Sequence, residues 1–142
     1  MTRERSPDSR SISQLPWQVN REEFIEQARL VGSGGACCAF VIDSSIPQSA
    51  RSGYASLVIA YARADEPVCI LDDGSAILLI RDGGTNSGQV AAKRILDQMR
   101  RLALEQTLRA GVVPLGDDAG AAMDASRRTA ESGGAGAIST AD

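Results

Sequence analysis

CILDDGSAILLI, Cys69 to Ile80, joins two short apolar segments through an acidic turn, and the topology of the chain can be worked out from it. Asp72, Asp73 and Gly74 suit a two-residue hairpin loop, because Asp tolerates and Gly readily adopts the positive φ that such loops require. A turn this acidic could bind a metal ion or a nucleotide, or it could only reverse the chain. Adjacent aspartates in a turn seldom converge on one ion, so the sequence favours a plain turn and predicts no metal site.

Strands and helices alternate on both sides of this hairpin. Upstream, Asn20 begins a capping-box pattern, N-R-E-E, which predicts a helix over 20–31. The apolar run ACCAFVID then predicts a buried strand, and Pro47 and Pro67 bound a second helix. Downstream, the patterns predict a long helix over 87–104, a strand over 107–113, a helix from about 117 to 132 and a short strand over 137–140.

Without the first helix, the order of elements is strand, helix, two-stranded hairpin, helix, strand. This is the ferredoxin-like βαββαβ arrangement. The sequence therefore predicts an α/β (α+β) fold with an antiparallel sheet, helices packed on one face of it, and an extra N-terminal helix. Such an architecture hosts many unrelated activities, so the fold by itself does not give the function.

Length and charge restrict the class of protein further. The chain has 142 residues, and we predict a disordered, charged and Ser-rich N-terminal tail over 1–15, followed by a single domain over 16–142. The formal net charge of −3 argues against nucleic-acid binding, because no basic stripe is available to neutralise phosphates. The absence of histidine excludes His-based catalytic triads and His-ligated zinc.

Three cysteines, Cys37, Cys38 and Cys69, lie in apolar segments. An odd number without CxxC spacing predicts reduced, buried thiols of a cytoplasmic protein. Cys37 and Cys38 should face opposite sides of the sheet, so a shared metal site is not expected. No segment has the character of a secretory signal or the length of a membrane span, and we expect a cytoplasmic protein without membrane contact.

Five local motifs, taken in their order and spacing, resemble the GGDEF family of bacterial diguanylate cyclases. They are N-R-E-E-F at 20–24, F-V-I-D at 40–43, D-D-G-S-A at 72–76, T-L-R-A-G-V-V at 107–113 with Gly111 at the shared glycine, and Met123-Asp124 with Ala130 in the last helix. The resemblance covers residues 20–140 and implies the same ferredoxin-like core. It also places Asp43 where the family's first strand supplies a metal-binding aspartate.

The signature turn departs from the family pattern at the positions that carry the chemistry. The resemblance aligns the G-G-D-E-F signature with Asp72, Asp73, Gly74, Ser75 and Ala76. Two aspartates thus replace the glycines that let substrate approach the backbone, and Gly74 replaces an acidic metal ligand. Glu131 stands where a lysine would meet the phosphates, and the stretch from 43 to 72 is too short for the segment that helps to hold guanine.

These departures imply a degenerate domain. A pocket with an anionic hairpin tip and an anionic back wall should not hold a triphosphate with its magnesium ions, so we expect no enzyme activity, no catalytic residues, no metal and no cofactor. Arg127 and Arg128 on the last helix, like Arg100 and Arg101 on the long helix, are interpreted as residues of solvated faces.

The family's inhibitory R-x-x-D motif partly persists as R-A-D-E, Arg63 to Glu66. In the family this motif lies five residues before the signature and binds cyclic di-GMP. Arg63 could contact a guanine edge or a phosphate through its bidentate guanidinium, and Glu66 could replace the aspartate. The alternative interpretation of this segment is a polar, solvated helix end.

Three hypotheses of function follow from these observations. The first is a catalytically inactive GGDEF-like regulatory or scaffolding module that acts through an unidentified protein partner in cyclic di-GMP-type signalling. The second is a receptor that binds cyclic di-GMP through Arg63 and Glu66. The third is a ferredoxin-like interaction domain unrelated to cyclases, which a different strand order would indicate.

Overall fold

The computed structural model describes residues 18–141, and the tail predicted over 1–15 lies outside them. The described residues form, in chain order, β1 (Gln18–Val19), α1 (Arg21–Val31), β2 (Ala36–Ile42), α2 (Gln48–Tyr61), β3 (Val68–Ile70), β4 (Ala76–Ile80), α3 (Gly84–Arg101), β5 (Leu108–Pro114), α4 (Ala119–Ser132) and β6 (Ile138–Thr140). Short 3₁₀ turns, Gly32–Gly34 and Glu105–Thr107, precede β2 and β5. Over 18–141, no helix combines the length and apolar character needed to cross a membrane.

The six strands form one sheet in the order β1-β3-β4-β2-β5-β6. The four central strands pair antiparallel, which confirms the ferredoxin-like βαββαβ core. Both edge pairs, β1 with β3 and β5 with β6, are parallel, so the sheet is not antiparallel throughout. The parallel β5–β6 pair follows from its connection, because a helix that crosses over between two strands returns the chain in the same direction.

Helices cover both faces of the sheet, and the expectation of helices on one face is wrong. All seven residues of the central strand β2 are buried. Cys38 lies on the face that α2 and α3 cover, whereas Cys37 lies on the face that α1 and α4 cover. Phe24 of α1 and Met123 of α4 are fully buried in this second core. The helices outside the βαββαβ core therefore complete the burial of the sheet.

Two helices begin at the capping residues that the sequence indicates. The side chain of Asn20 accepts a hydrogen bond from the backbone N of Glu23 at 2.8 Å, and α1 follows. The side chain of Asp118 accepts from the backbone N of Ala121 at 3.0 Å, and α4 follows. In contrast, α3 begins three residues before the predicted position, because Gly83 turns the chain with a φ of 88° directly into the helix.

The β3–β4 hairpin has a three-residue loop rather than the predicted two-residue loop. The backbone N of Leu71 donates to the carbonyl of Ser75 at 2.8 Å, and the N of Gly74 donates to the carbonyl of Leu71 at 2.9 Å. Only Gly74 in this loop has a positive φ, of 89°. A two-residue type I′ loop needs positive φ at both central residues, whereas a three-residue loop needs it only at the last. The two aspartates thus keep negative φ, and glycine closes the turn.

The three cysteines are free and buried, as the sequence predicts. Burial raises the pKa of the Cys37 thiol to about 12 and also raises the pKa values of Cys38 and Cys69. These thiols are therefore unreactive components of the core.

Candidate functional site

The tip of the β3–β4 hairpin lies against the N-terminal part of α2. A Cβ atom on Gly74 would stand 2.8 Å from Cβ of Arg51 and 3.2 Å from Cδ1 of Ile42. The positive φ of Gly74 also disfavours any residue with a side chain. Glycine is therefore required here both by backbone conformation and by the close approach of α2. At the position where the resemblance implies a metal ligand, this chain has a residue that packs the hairpin onto its own helix.

Asp73, at the hairpin tip, is bound by groups of the chain itself. Its Oδ2 accepts a hydrogen bond from Nη2 of Arg127 on α4 at 2.6 Å, and its Oδ1 accepts from the backbone N of Ser75 at 3.0 Å. Its backbone carbonyl accepts from Nη1 of Arg51 at 3.2 Å. Partial burial acts to raise the pKa of Asp73, but the hydrogen bonds from Ser75 and the charges of Arg127 and Arg51 lower it below its ordinary value. The ionised carboxylate is thus neutralised in place.

Asp43, directly after β2, has both carboxylate oxygens engaged. Its Oδ2 accepts from the backbone N of Ser45 at 3.0 Å and from the hydroxyl of Ser45 at 2.5 Å. Its Oδ1 pairs with Nη2 of Arg109 on β5 at 3.3 Å. The hydrogen bonds from Ser45, and then the charges of Arg109 and Arg51, hold the pKa of Asp43 below its ordinary value. Asp43 therefore fixes the start of the β2–α2 connection and ties it to β5.

Arginines lie among the carboxylates around the hairpin and offset most of their charge. Nε of Arg127 lies 3.8 Å from Oε2 of Glu131, one turn further along α4, while the same guanidinium binds Asp73. Arg51 and Arg109 add two more positive charges beside the hairpin and Asp43. The expectation of an anionic tip and back wall does not include these arginines, which the fold brings beside the acidic residues and which offset most of their charge.

The carboxylates of this region offer little to a metal ion. Among residues 18–141, no three His, Cys, Asp or Glu side chains lie together as possible ligands of one ion. Magnesium takes octahedral oxygen coordination through carboxylates and water. Asp43 and Asp73 would have to leave Arg109 and Arg127 to enter such a coordination shell.

The segment from Arg63 to Glu66 forms the turn between α2 and β3. Glu66 is only 8% exposed, and its Oε1 accepts a hydrogen bond from the backbone N of Arg63 at 2.8 Å. The same oxygen forms an ion pair with Nη2 of Arg94 on α3. The side chain of Arg63 is exposed. The two predicted ligands lie together but in different surroundings: Glu66 is buried and joins the turn to α3, whereas the side chain of Arg63 lies at the surface.

A cleft of about 220 Å³ lies beside this turn. Three arginines line it, and three carboxylates balance their charge, namely Arg63, Arg81 and Arg94 against Asp65, Glu66 and Asp82. Nε of Arg81 donates to the carbonyl of Asp65 at 3.0 Å, and its Nη2 donates to the side chain of Gln27 on α1. Arg94 is paired with Glu66 and Arg81 is bound to the turn, so the exposed guanidinium of Arg63 is the one in this cleft that suits the recognition of a phosphate or of a nucleobase edge.

The sequence did not indicate the arginines that pair with acidic or carbonyl groups at the hairpin and at the cleft beside the α2–β3 turn. They are Arg51, Arg81, Arg94, Arg109 and Arg127. The interpretation of Arg127 as a residue of a solvated face is wrong, because it pairs with Asp73. For Arg109 a signal was present, since it stands in an otherwise apolar strand and a half-buried charge there requires a partner. That signal does not name the partner.

Comparisons with known proteins place the fold. No family model and no curated protein matches the sequence. Among solved structures, an EAL/GGDEF domain protein from M. capsulatus is 15% identical with a TM-score of 0.61, over 84% of this chain and 97% of that chain. The GGDEF domain of TpbB, also called YfiN, from Pseudomonas aeruginosa is 14% identical with a TM-score of 0.62, over 90% of this chain and 99% of that chain. The FimX GGDEF domain from the same organism is 16% identical with a TM-score of 0.62, over 90% and 98%.

These likenesses confirm the predicted fold. The chain has the GGDEF fold, with the acidic turn at 72–76 forming its β3–β4 hairpin. At these identities the likeness concerns the fold, and the chemistry has to be argued from the residues of this chain.

Proposed function

We propose, from the GGDEF fold and the contacts of its hairpin, that this chain is a catalytically inactive regulatory or scaffolding module that acts through protein contacts in cyclic di-GMP-type signalling. The ion pair between Asp73 and Arg127 carries the proposal. It occupies the hairpin tip with the protein's own charges, at the place where the resemblance implies that substrate and metal bind.

Two further observations support the loss of catalysis. Gly74 stands at the position of the acidic ligand, and α2 approaches it so closely that any side chain there would force the hairpin and the helix apart. Asp43 is committed to Ser45 and Arg109. A two-metal reaction needs carboxylates that are free to hold both ions, and neither position supplies one.

The direct test is an activity assay on the purified chain. The protein is incubated with GTP and Mg²⁺, and in parallel with Mn²⁺, and cyclic di-GMP is measured by liquid chromatography over several hours, with an active diguanylate cyclase as positive control. We expect no product above the protein-free blank. Formation of cyclic di-GMP that scales with protein concentration would refute the proposal.

A second candidate function is a cyclic di-GMP receptor, and the exposed Arg63 in the cleft beside the α2–β3 turn favours it. Arg63, Arg81 and Arg94 line one recess, and the first of them is exposed and available to a ligand. Arginine binds phosphates and the edge of guanine in bidentate geometry. In this candidate Glu66 positions Arg94 and the turn instead of contacting the dinucleotide.

Calorimetric titration with cyclic di-GMP tests this candidate. Binding should be weakened by about tenfold or more in Arg63→Ala and unchanged in Arg128→Ala, which removes an equally exposed arginine from α4. Absence of heat with the wild-type chain, or equal affinity of both variants, would eliminate the receptor. The third hypothesis, an unrelated ferredoxin-like domain, gains no support from the strand order, which is the order of the predicted core.

A further inference from the structure

We propose that copies of this chain associate head to tail, with the exposed face of α3 in one copy docked on the exposed face of α1 in the next. The inference deepens the scaffolding role and rests on the proposed function for its purpose. The contacts that carry it are independent of any nucleotide chemistry.

The exposed face of α3 is basic although the whole chain is acidic. Of the charged residues of α3, Arg94 is paired with the buried Glu66, and the other three basic residues with the one acidic residue, Asp97, give a net charge of +2, whereas the chain has −3. Lys93, Arg100 and Arg101 are exposed on it, and Val90 near its N-terminal end is 65% exposed. We call Val90, Lys93, Arg100 and Arg101 the α3 face. Because complementary potentials steer two protein surfaces together, these cations favour an acidic partner.

The exposed stripe of α1 has the complementary character. Glu22, Glu26 and Leu30 follow at intervals of four residues, so they lie along one side of the helix. All three are exposed, and Leu30 is 80% exposed, the most of the large apolar residues described. We call these three residues the α1 face.

The two faces match in spacing when the helices run antiparallel. With Leu30 placed on Val90, Glu26 lies about 6 Å along α1, and Lys93 lies about 4.5 Å along α3. Glu22 then lies about 12 Å from Leu30, opposite the last turn of α3 that carries Arg100 and Arg101. One apolar contact and two charge contacts are thus made in a single register.

Ion pairs within each face leave these charges available. Lys93 and Arg100 both pair with Asp97 at 2.8 Å, and Glu26 pairs with Arg29 at 3.1 Å. All of these side chains are exposed, and exposed pairs of this kind are weak and exchange readily. An intermolecular contact can therefore replace them.

The position of the two helices determines the kind of assembly. Helix α1 packs on one face of the sheet and α3 on the other, so each copy would use its two faces for two different neighbours. Such a heterologous contact builds open chains or rings instead of a closed pair. That is the geometry of a scaffold.

The test uses charge reversal on each face of the 142-residue chain. Sedimentation velocity is measured over a concentration series at about 0.05 M and about 0.5 M NaCl, since salt screens exposed charges. The wild-type chain should self-associate at low salt, and its affinity should fall by about tenfold at high salt. The variants K93E/R101E and E22K/E26K should each weaken self-association by at least about tenfold. The control R128E reverses an exposed charge of α4 outside both faces and should associate like the wild type.

Mixing the two variants gives the sharpest outcome. K93E/R101E keeps its α1 face and E22K/E26K keeps its α3 face, and the two reversed faces are again opposite in charge. Their equimolar mixture should therefore form assemblies in which the two variants alternate, although neither variant associates alone. A wild-type chain that stays monomeric at low salt, variants that associate like the wild type, or a mixture without complex would each overturn the inference. Should a double variant fail to fold, R101E and E22K replace it, each changing one exposed residue. The assay measures mass, so cyclase activity, if found, would refute the proposed function without affecting this result.

Discussion

The packing of α4 on β5 places Arg127 beside the hairpin, and substitution of Gly111 on β5 tests this packing. A Cβ atom on Gly111 of β5 would stand 2.3 Å from the carbonyl oxygen of Ser126 and 2.4 Å from the backbone N of Ala130. Both obstacles are backbone atoms of α4, so no rotation of a side chain can relieve the overlap. The helix would have to move by about 1 Å to restore normal contact distances. We therefore expect Gly111→Ala to destabilise the chain by about 3 kcal/mol, at the upper end for overpacked cores.

The same substitution at another glycine supplies the control. A Cβ atom on Gly53, inside α2, would meet no atom within 4 Å. Alanine favours a helix interior over glycine, so Gly53→Ala should stabilise the chain by about 0.5–1 kcal/mol. The two variants thus make the same glycine-to-alanine change, but the expected changes in the free energy of unfolding have opposite signs.

Urea unfolding followed by circular dichroism, with thermal melts in parallel, measures both changes. For a chain of this length about 3 °C corresponds to 1 kcal/mol, so Gly111→Ala should melt about 10 °C below the wild type and Gly53→Ala about 2 °C above it. A loss of less than about 1 kcal/mol in Gly111→Ala would show that α4 does not pack on β5 as described. The placement of Arg127 beside Asp73 would then lose its basis.

Three further predictions concern the ion pairs. Glu66→Gln keeps an acceptor for the backbone N of Arg63 but removes the charge that faces Arg94. The free energy of unfolding in urea should therefore fall by about 1–3 kcal/mol. An unchanged unfolding midpoint would contradict a stabilising role for the pair between Glu66 and Arg94. The lowered pKa of Asp73 contributes stability that is present above the pKa of this group in the unfolded chain and is lost as the pH falls through its pKa in the folded chain. From about pH 4 downward, the melting temperature of the wild type should therefore fall more steeply than that of Asp73→Asn. Parallel curves of melting temperature against pH would contradict this sign. Arg127→Ala should accelerate amide hydrogen exchange over residues 71–75, as measured by mass spectrometry. Arg128→Ala, on the exposed side of α4, should leave this exchange unchanged. Equal exchange in both variants would show that the ion pair between Asp73 and Arg127 does not hold the hairpin.

Local signals in the sequence were sufficient for the elements of the core. Asn20 and Asp118 accept hydrogen bonds from the backbone amides three residues on, as capping residues do, and the helices begin there. The apolar run at 36–42 is a strand with every residue buried. The hairpin was placed correctly but given too short a loop, because Asp tolerates positive φ without needing it, and the preference of Gly74 alone decides the turn.

The second layer of helices could also have been predicted. A strand that faces solvent on one side alternates apolar and polar residues, whereas β2 is apolar at all seven positions. Both faces of such a strand must be covered, and the two helices of a βαββαβ core lie on one face. Helices α1 and α4 were the remaining elements available for the other. The error lay in applying the rule for a ferredoxin-like core to a chain whose central strand contradicts it.

The ion pairs could not have been predicted from the sequence. Arg127 and Asp73 are 54 positions apart, Arg109 and Asp43 are 66 apart, and Arg94 and Glu66 are 28 apart. Periodicity indicates which face of an element a residue lies on, but it gives no information about which distant element will meet that face. Charges at a site are therefore underestimated whenever only the residues of a motif are counted.

The physical account of the proposed inactivity changes accordingly. Repulsion of a triphosphate is weaker than a count of the acidic residues suggests, because Arg127 neutralises Asp73 and Arg51 binds the carbonyl of the same residue. A nucleotide is opposed because the groups that it would contact are already paired with each other. Its phosphates would have to displace the Asp73 carboxylate from the Arg127 guanidinium, which lies 2.6 Å away, and its metal would have to displace Arg127 from Asp73. Each displacement breaks a formed, partly buried pair before any new contact is made. The contacts that hold the hairpin to α2 and α4 also preorganise it, and preorganisation lowers the entropic cost of the protein binding proposed for this chain.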